Sequence, residues 1–193
     1  MESTRSATAD DTGRIALQTV TLCAATSVNV AATMAALRAS LEQVDFAQCL
    51  FFTDAVIPVN DPRIRVIPIP PLKSAEDYSA FILGGLAQHV RTEHCLVVQW
   101  DGFVLDASRW DARFLDYDYI GAPWPQFDAG YDVGNGGFSL RSRKLLNACH
   151  DESFRSGHPE DVAICHTNRL LLESRYGLRF ADLATADAFS YER

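Results

Sequence analysis

Short apolar runs alternate with stretches whose apolar residues recur at helical spacing, and this alternation constrains the fold more than any other feature of the chain. Residues 15–24 are apolar and β-branched and read as a buried strand. Thr26, Ser27 and Asn29 then offer capping oxygens, and Val30, Met34, Leu37 and Leu41 form one helical stripe. Residues 47–53 predict a second strand. Residues 64–69 predict a third, fenced by Pro62, Pro68, Pro70 and Pro71 and so placed near a sheet edge. Ser74-Ala75-Glu76-Asp77 is similar to a capping box with Asp in place of Glu, and Tyr78, Phe81, Ile82 and Leu86 mark a helix face. Residues 95–99 are a fourth apolar run. Such strand–helix–strand units predict an α/β domain: a mixed, mostly parallel sheet with helices on both faces. Two more strands are expected at 117–122 and 137–140, a short helix at 142–149 and a longer one at 159–176. The last has Pro159 in its first turn, Glu160 and Asp161 complementing its dipole and Gly177 past its end.

The length of 193 residues suits one such domain, expected at 15–193 behind a polar, flexible tail at 1–14. A hydrophobic share of 48% is that of a folded domain and excludes a disordered chain. With 17 Lys+Arg against 25 Asp+Glu the net charge is −8, which leaves no positive stripe for nucleic acid. The first residues lack a basic, then apolar, signal sequence, and no apolar run approaches a membrane span. Five cysteines without a C-x-x-C spacing form neither a zinc site nor a disulfide framework. Buried free thiols in a cytoplasmic protein are expected. Seven Asp and two Arg crowd residues 98–132, which reads either as a solvated acidic face or as a site for a cation.

In open α/β sheets ligands bind outside the carboxyl ends of the strands. After the first strand stand Thr26, Ser27 and Asn29, either a plain helix cap or a cradle for a nucleotide. The chain has neither the dinucleotide fingerprint nor a P-loop. Gln99-Trp100-Asp101-Gly102 follows the fourth strand. Asp101 reads either as a turn former or as a carboxylate for a divalent cation bound to a diphosphate, with Gln99 supplying an amide or orienting a water. Gly134-Asn135-Gly136-Gly137 is the most unusual stretch. It reads as a hairpin turn with positive φ, or as backbone that lets a ligand approach closely. Trp124 would stack on a sugar or pack in the core. Glu160 and Asp161 are helix caps or, with one aimed into a cleft, a general base. The five His are scattered without ligand spacing, and no serine- or cysteine-hydrolase pattern is present.

Taken in order, the strand-end Gln-x-Asp-Gly, Asp118-Tyr119-Ile120-Gly121-Ala122-Pro123-Trp124, Gly134-Asn135-Gly136-Gly137-Phe138-Ser139-Leu140-Arg141-Ser142 and Pro159-Glu160-Asp161-Val162 resemble the glycosyltransferase-like family known as domain of unknown function number 5672. More broadly the chain is similar to a reduced GT-A nucleotide-sugar transferase, over about residues 20–192. The resemblance implies a GT-A-like single domain that moves a sugar from a nucleotide-sugar donor to a saccharide or glycoconjugate acceptor. Thr26, Asn29, Gln99, Asp101 and Gly102 would bind the donor. Trp124, Asn135, Gly136 and Gly137 would meet the sugar and acceptor. Asp101 matches the last carboxylate of a D-x-D motif and would hold Mn²⁺ or Mg²⁺, whereas Gln99 stands in the place of the first Asp. Asp161, with Glu160, matches the x-E-D position, whose Asp is the base of inverting members. In a retaining reaction Asp161 would instead bind a sugar hydroxyl. Backbone N–H groups of the glycine string would reach sugar hydroxyls. No His follows His166 to match the carboxy-terminal metal ligand of many GT-A enzymes.

Two other readings stand beside the transferase. One is a nucleotide-sugar-binding module that has lost catalysis, for which Gln99 and the missing His speak. The other is a nucleotidyltransferase, which the absence of Lys and Arg from residues 24–29 disfavours. A small chain leaves room for a partner subunit or a homodimer to complete the acceptor side.

Overall fold

The structure is a computed structural model that describes residues 14–191. The expected tail therefore lies, except for Arg14, outside the described residues. The strand expected first is β1 (Ile15–Ala25), followed by α1 (Val30–Gln43), β2 (Val44–Thr53) and β3 (Ile64–Pro68). Then come α2 (Ala75–Ala80), β4 (His94–Val98), β5 (Tyr119–Pro123) and β6 (Val133–Ser142). The chain closes with α3 (Arg143–Ala148), α4 (Glu160–Val162), α5 (Arg169–Tyr176) and α6 (Leu183–Phe189). The six strands make one sheet in the order β3-β2-β1-β4-β6-β5. The first four run parallel, and β6 enters antiparallel between β4 and β5. The proline-fenced β3 is an edge strand, because Pro lacks the N–H that an interior strand must donate.

Alternate residues of a strand face opposite sides, and the core divides accordingly. Leu22, Leu96 and Leu140 pack under α1, through Met34, Leu37 and Leu41, and under Ala186 of α6. Cys23, Cys95 and Val97 turn to the other face and meet Ile82, Leu86 and Leu146. On that same face Leu145, Ile164 and Leu172 gather around Tyr119. All five cysteines are buried and free, and burial pushes the Cys49 thiol up to about 12.

Two local expectations change. The glycine string is no turn: it is the first half of β6, and among the described residues only Gly130 and Gly177 have positive φ. The helix expected at 159–176 is interrupted, as α4 passes into a π-helical segment, Ala163–Thr167, before α5 begins. Gly177 ends α5 in the left-handed conformation, as its position predicts.

Candidate active site

The carboxyl end of β4 and the amino end of β6 meet at one edge, because Val98 pairs with Phe138 in the antiparallel ladder. The chain leaving β4 turns tightly there, with the Gly102 amide donating to the Gln99 carbonyl at 3.2 Å. A side chain at Gly102 would come within 3.2 Å of the Gly137 carbonyl oxygen, so turn and string pack backbone to backbone. The start of α4 faces the same string. The Gly136 amide donates to Asp161 Oδ2 at 3.0 Å, and the Val162 amide donates to Asp161 Oδ1 at 2.8 Å. The sheet edge therefore gathers Gln99, Gly102, Asn135, Gly136, Gly137, Glu160 and Asp161.

Burial raises the proton affinity of the Asp161 carboxyl, and the Glu160 charge raises it further; the two backbone donors and Arg141 act the other way. A half-buried carboxylate so shifted, at the carboxyl end of the sheet, can accept a proton from a bound hydroxyl. Glu160 is placed differently. It is 5% exposed and turns inward, where Oε1 accepts from Arg141 Nη2 at 3.0 Å and Oε2 accepts from Ser79 Oγ at 3.5 Å. Ser79 Oγ in turn lies 2.9 Å from Nδ1 of the exposed His158.

The glycine N–H groups are engaged within the protein. Gly136 orients Asp161, and Gly137 donates to Asn135 Oδ1 at 3.0 Å. What the string offers a ligand is the space left by missing side chains: the position of a Gly137 side chain lies 3.5 Å from both Gln99 Oε1 and Asn135 Oδ1. Gln99 Nε2 donates to the Tyr78 hydroxyl at 3.2 Å, which fixes the amide. Burial pushes that phenol up to about 12 and keeps it neutral.

Four expected residues lie outside this cluster: Thr26, Asn29, Trp124 and Asp101. Thr26 and Asn29 stand at the exit of β1, two strands from β6. There the Thr26 hydroxyl accepts from the Val28 and Asn29 amides at 3.2 and 3.3 Å in the turn ahead of α1, whose N-cap Asn29 makes no side-chain capping bond, so the expected cap is not formed. Trp124 is 6% exposed; its ring lies on Gly134, where a side chain would be 2.4 Å from it, and packs against Phe127. Its aromatic surface is covered by the protein itself.

Asp101 is exposed on the turn after β4. Among the described residues no three His, Cys, Asp or Glu side chains converge on a possible metal position. One exposed carboxylate beside an amide already bonded to Tyr78 does not by itself hold a divalent cation; Asp101 would serve only a cation that takes its other ligands from a diphosphate and water. An apolar cavity of about 620 Å³ runs from Asp101 and Gly102 past Phe138 to Phe189, on the α1 side of the sheet. Glu160 and Asp161 begin the helical segment that packs on the opposite side.

The structure adds Arg141, Ser139, Tyr78 and Ser79 to the site. Arg141 carried a legible signal, an arginine inside an apolar strand, since such a charge needs a buried partner. Tyr78 and Ser79 sit on an ordinary helix face and carried none.

A profile of the family described as "Protein of unknown function (DUF5672)" matches residues 61–193. No curated protein matches the chain. Among solved structures, the mannosyltransferase PcManGT from Pyrobaculum calidifontis, in complex with GDP-Man and Mn²⁺, is similar with a TM-score of 0.55 at 11% identity. The likeness covers 84% of this chain and 54% of that one, so the chain spans about half the length of that enzyme. At this identity the likeness is one of fold alone, in the six-stranded mixed sheet and its flanking helices.

Proposed function

We propose that this chain, which belongs to the DUF5672 family of proteins of unknown function, is a glycosyltransferase that moves a sugar from a nucleotide-sugar donor to a saccharide or glycoconjugate acceptor. The observation that carries this reading is Asp161, a carboxylate with raised proton affinity held by the Gly136 amide at the open sheet edge. In the proposed reaction Asp161 takes the proton of an acceptor hydroxyl. The acceptor oxygen bonds to the anomeric carbon as the bond from that carbon to the diphosphate breaks, and the electron pair leaves with the diphosphate. Attack from the face opposite the leaving group inverts the anomeric centre. Gln99 Oε1, Asn135 and the gap at Gly137 would meet sugar hydroxyls. Thr26, Asn29, Asp101 and Gly102 would lie along the nucleotide and diphosphate. A divalent cation bound with the diphosphate would be held on the protein side by Asp101 and would supply charge neutralisation to the leaving group.

The bound ligand of the mannosyltransferase makes GDP-mannose the first probe. Calorimetric titration with GDP-mannose and with uridine-diphosphate sugars, with and without Mn²⁺, is followed by an assay for released nucleoside diphosphate in the presence of saccharide acceptors. Binding with release is the expected result. Binding without release across a broad acceptor panel would assign the chain to the non-catalytic module, and folded protein that binds none of the donors would overturn both.

A further inference from the structure

We infer that Arg141 is a positioning residue for Asp161, acting through Gly136 and Glu160. This rests on the reading of Asp161 as the base. Arg141 is wholly buried and Glu160 almost so. A buried ion pair is weak evidence of stability, since hydrophobic residues of similar volume do as well or better. Its geometry here points elsewhere. Arg141 Nη2 donates to Glu160 Oε1 at 3.0 Å and to the Gly136 carbonyl at 3.5 Å. Arg141 Nε donates to Ser139 Oγ at 2.9 Å, and that hydroxyl donates to the Gly136 carbonyl at 3.1 Å. Gly136 is therefore pinned on its carbonyl side by Arg141 and Ser139 while its N–H is presented to Asp161 at 3.0 Å. Glu160 precedes Asp161 in the first turn of α4, where neighbouring side chains diverge by about 100°. Anchoring Glu160 inward thus turns Asp161 toward the edge.

The electrostatics agree with the geometry. The groups that act on or feel Asp161 are Glu160 from its own helix, Arg141 from β6, Tyr119 from β5, Tyr78 from α2 and Cys165 from the π segment. Burial keeps both phenols and the thiol neutral, so only Glu160 and Arg141 carry charge, and they act on Asp161 in opposite senses. The Glu160 contribution is the larger of the two, so the pair holds the base in place and leaves its proton affinity raised.

Removing Arg141 alone strands a buried carboxylate and risks unfolding, so the test uses Glu160→Gln and the neutral pair Arg141→Met with Glu160→Met. Both are first shown to be folded by circular dichroism, and a chain that unfolds with the neutral pair overturns the inference in favour of a purely structural role. The readout needs no substrate: the Asp161 carboxyl and the Gly136 amide are followed by NMR as pH changes. In the native chain the Gly136 amide shift tracks the Asp161 titration through their hydrogen bond. Glu160→Gln removes the like charge and lowers the Asp161 midpoint by ~1 pH unit. In the neutral pair the Gly136 amide no longer follows Asp161, and turnover falls ~100-fold with donor affinity kept. A folded neutral pair whose Gly136 amide titrates as in the native chain overturns the inference. If the NMR behaviour is as expected but the native chain transfers no sugar, the positioning stands and the proposed function fails.

Discussion

Three groups already meet where a side chain on Gly136 would stand: Glu160 Oε1 at 2.8 Å, Arg141 Nη2 at 2.9 Å and Asp161 Cβ at 3.1 Å. Two of them belong to a buried ion pair, so none can swing aside cheaply. Gly136→Ala is expected to cost ~1–3 kcal/mol in a urea melt, the range for overpacking a filled site. Asp161→Asn keeps the shape and removes the proposed base; turnover should fall ~10²–10⁴-fold, and because its amide nitrogen cannot accept, one of the Gly136 and Val162 amides loses its partner at a cost of about 1–3 kcal/mol in a urea melt. The raised proton affinity of Asp161 fixes two signs of pH dependence. If Asp161 acts as the proposed base it does so as the carboxylate, and kcat/KM should decline as pH falls through the raised pKa, on a limb above that of an ordinary Asp at ~3.9. Between those two values the folded chain holds a proton that the unfolded chain has released. Stability therefore decreases as pH rises through that window, and Asp161→Asn should remove that decrease. Asp161 and Gly136 were legible in the sequence, because an acid at a helix start and a run of glycines are unusual as strings. The inward turn of Glu160 was not, since its neighbour and it look alike as letters and only Arg141 tells them apart.

At the level of elements, the strand pattern up to β4 follows from periodicity to within a few residues, but the helix expected from Ser74 to Leu86 is α-helical only over α2 and continues as a π-helical segment, Phe81–Gly85, and a 3-10 turn, Leu86–Gln88. Ser74 caps α2 through its hydroxyl, as its position predicts, and Ser142, expected as the first residue of a helix, caps α3 in the same way. The glycine string misled because Asn-Gly favours turns in isolation. In the folded chain the glycines answer a packing demand instead. Gly121 of β5 approaches β6 so closely that a side chain there would lie 2.2 Å from the Asn135 carbonyl oxygen, and Tyr119 donates to the Gly134 carbonyl at 2.6 Å. That crowding is a tertiary fact, absent from either strand alone. Gly121→Ala should separate β5 from β6, lowering stability by about 3 kcal/mol, at the upper end for overpacking because the obstacle is backbone. Loss of the slowest-exchanging amides of β5 and β6 would report the separation. The interrupted helix after Asp161 was equally hidden, since its apolar residues satisfy one helical stripe whether or not a π segment intervenes.

For the whole molecule the charge total misdirects, because most of the crowded aspartates have local work. Asp106 and Asp111 accept from the backbone amides of Ser108 and Arg113, and Asp132 accepts from Gly130. Asp118 joins Ser142 at the start of α3 to the Arg179 amide. Asp101 is exposed at the edge where the donor is proposed to lie, and the net charge of −8 says little about it. A ligand held across β4, β6 and α4 binds only the folded chain and must stabilise it. At a hundredfold excess over its dissociation constant the matching nucleotide sugar should add ~2.7 kcal/mol. For a chain of this size that is a rise of roughly 5–10 °C in a fluorimetric melt. A panel in which every guanosine- and uridine-diphosphate sugar leaves the melt unchanged would count against the proposed donor class.

The late arrival of β6 has a bearing on synthesis. As the chain is made, β1 to β4 can pair in parallel while the other edge of β4 stays bare, a row of unpaired N–H and C=O groups open to neighbouring chains. That edge is covered only when residues 133–142 emerge and Phe138 settles opposite Val98. The same event lays the glycines beside Gln99, and Glu160 and Asp161 have yet to follow. Protection of the nascent sheet from aggregation and assembly of the candidate site are thus one step, and a chain that escapes aggregation at β4 has already built half of its site.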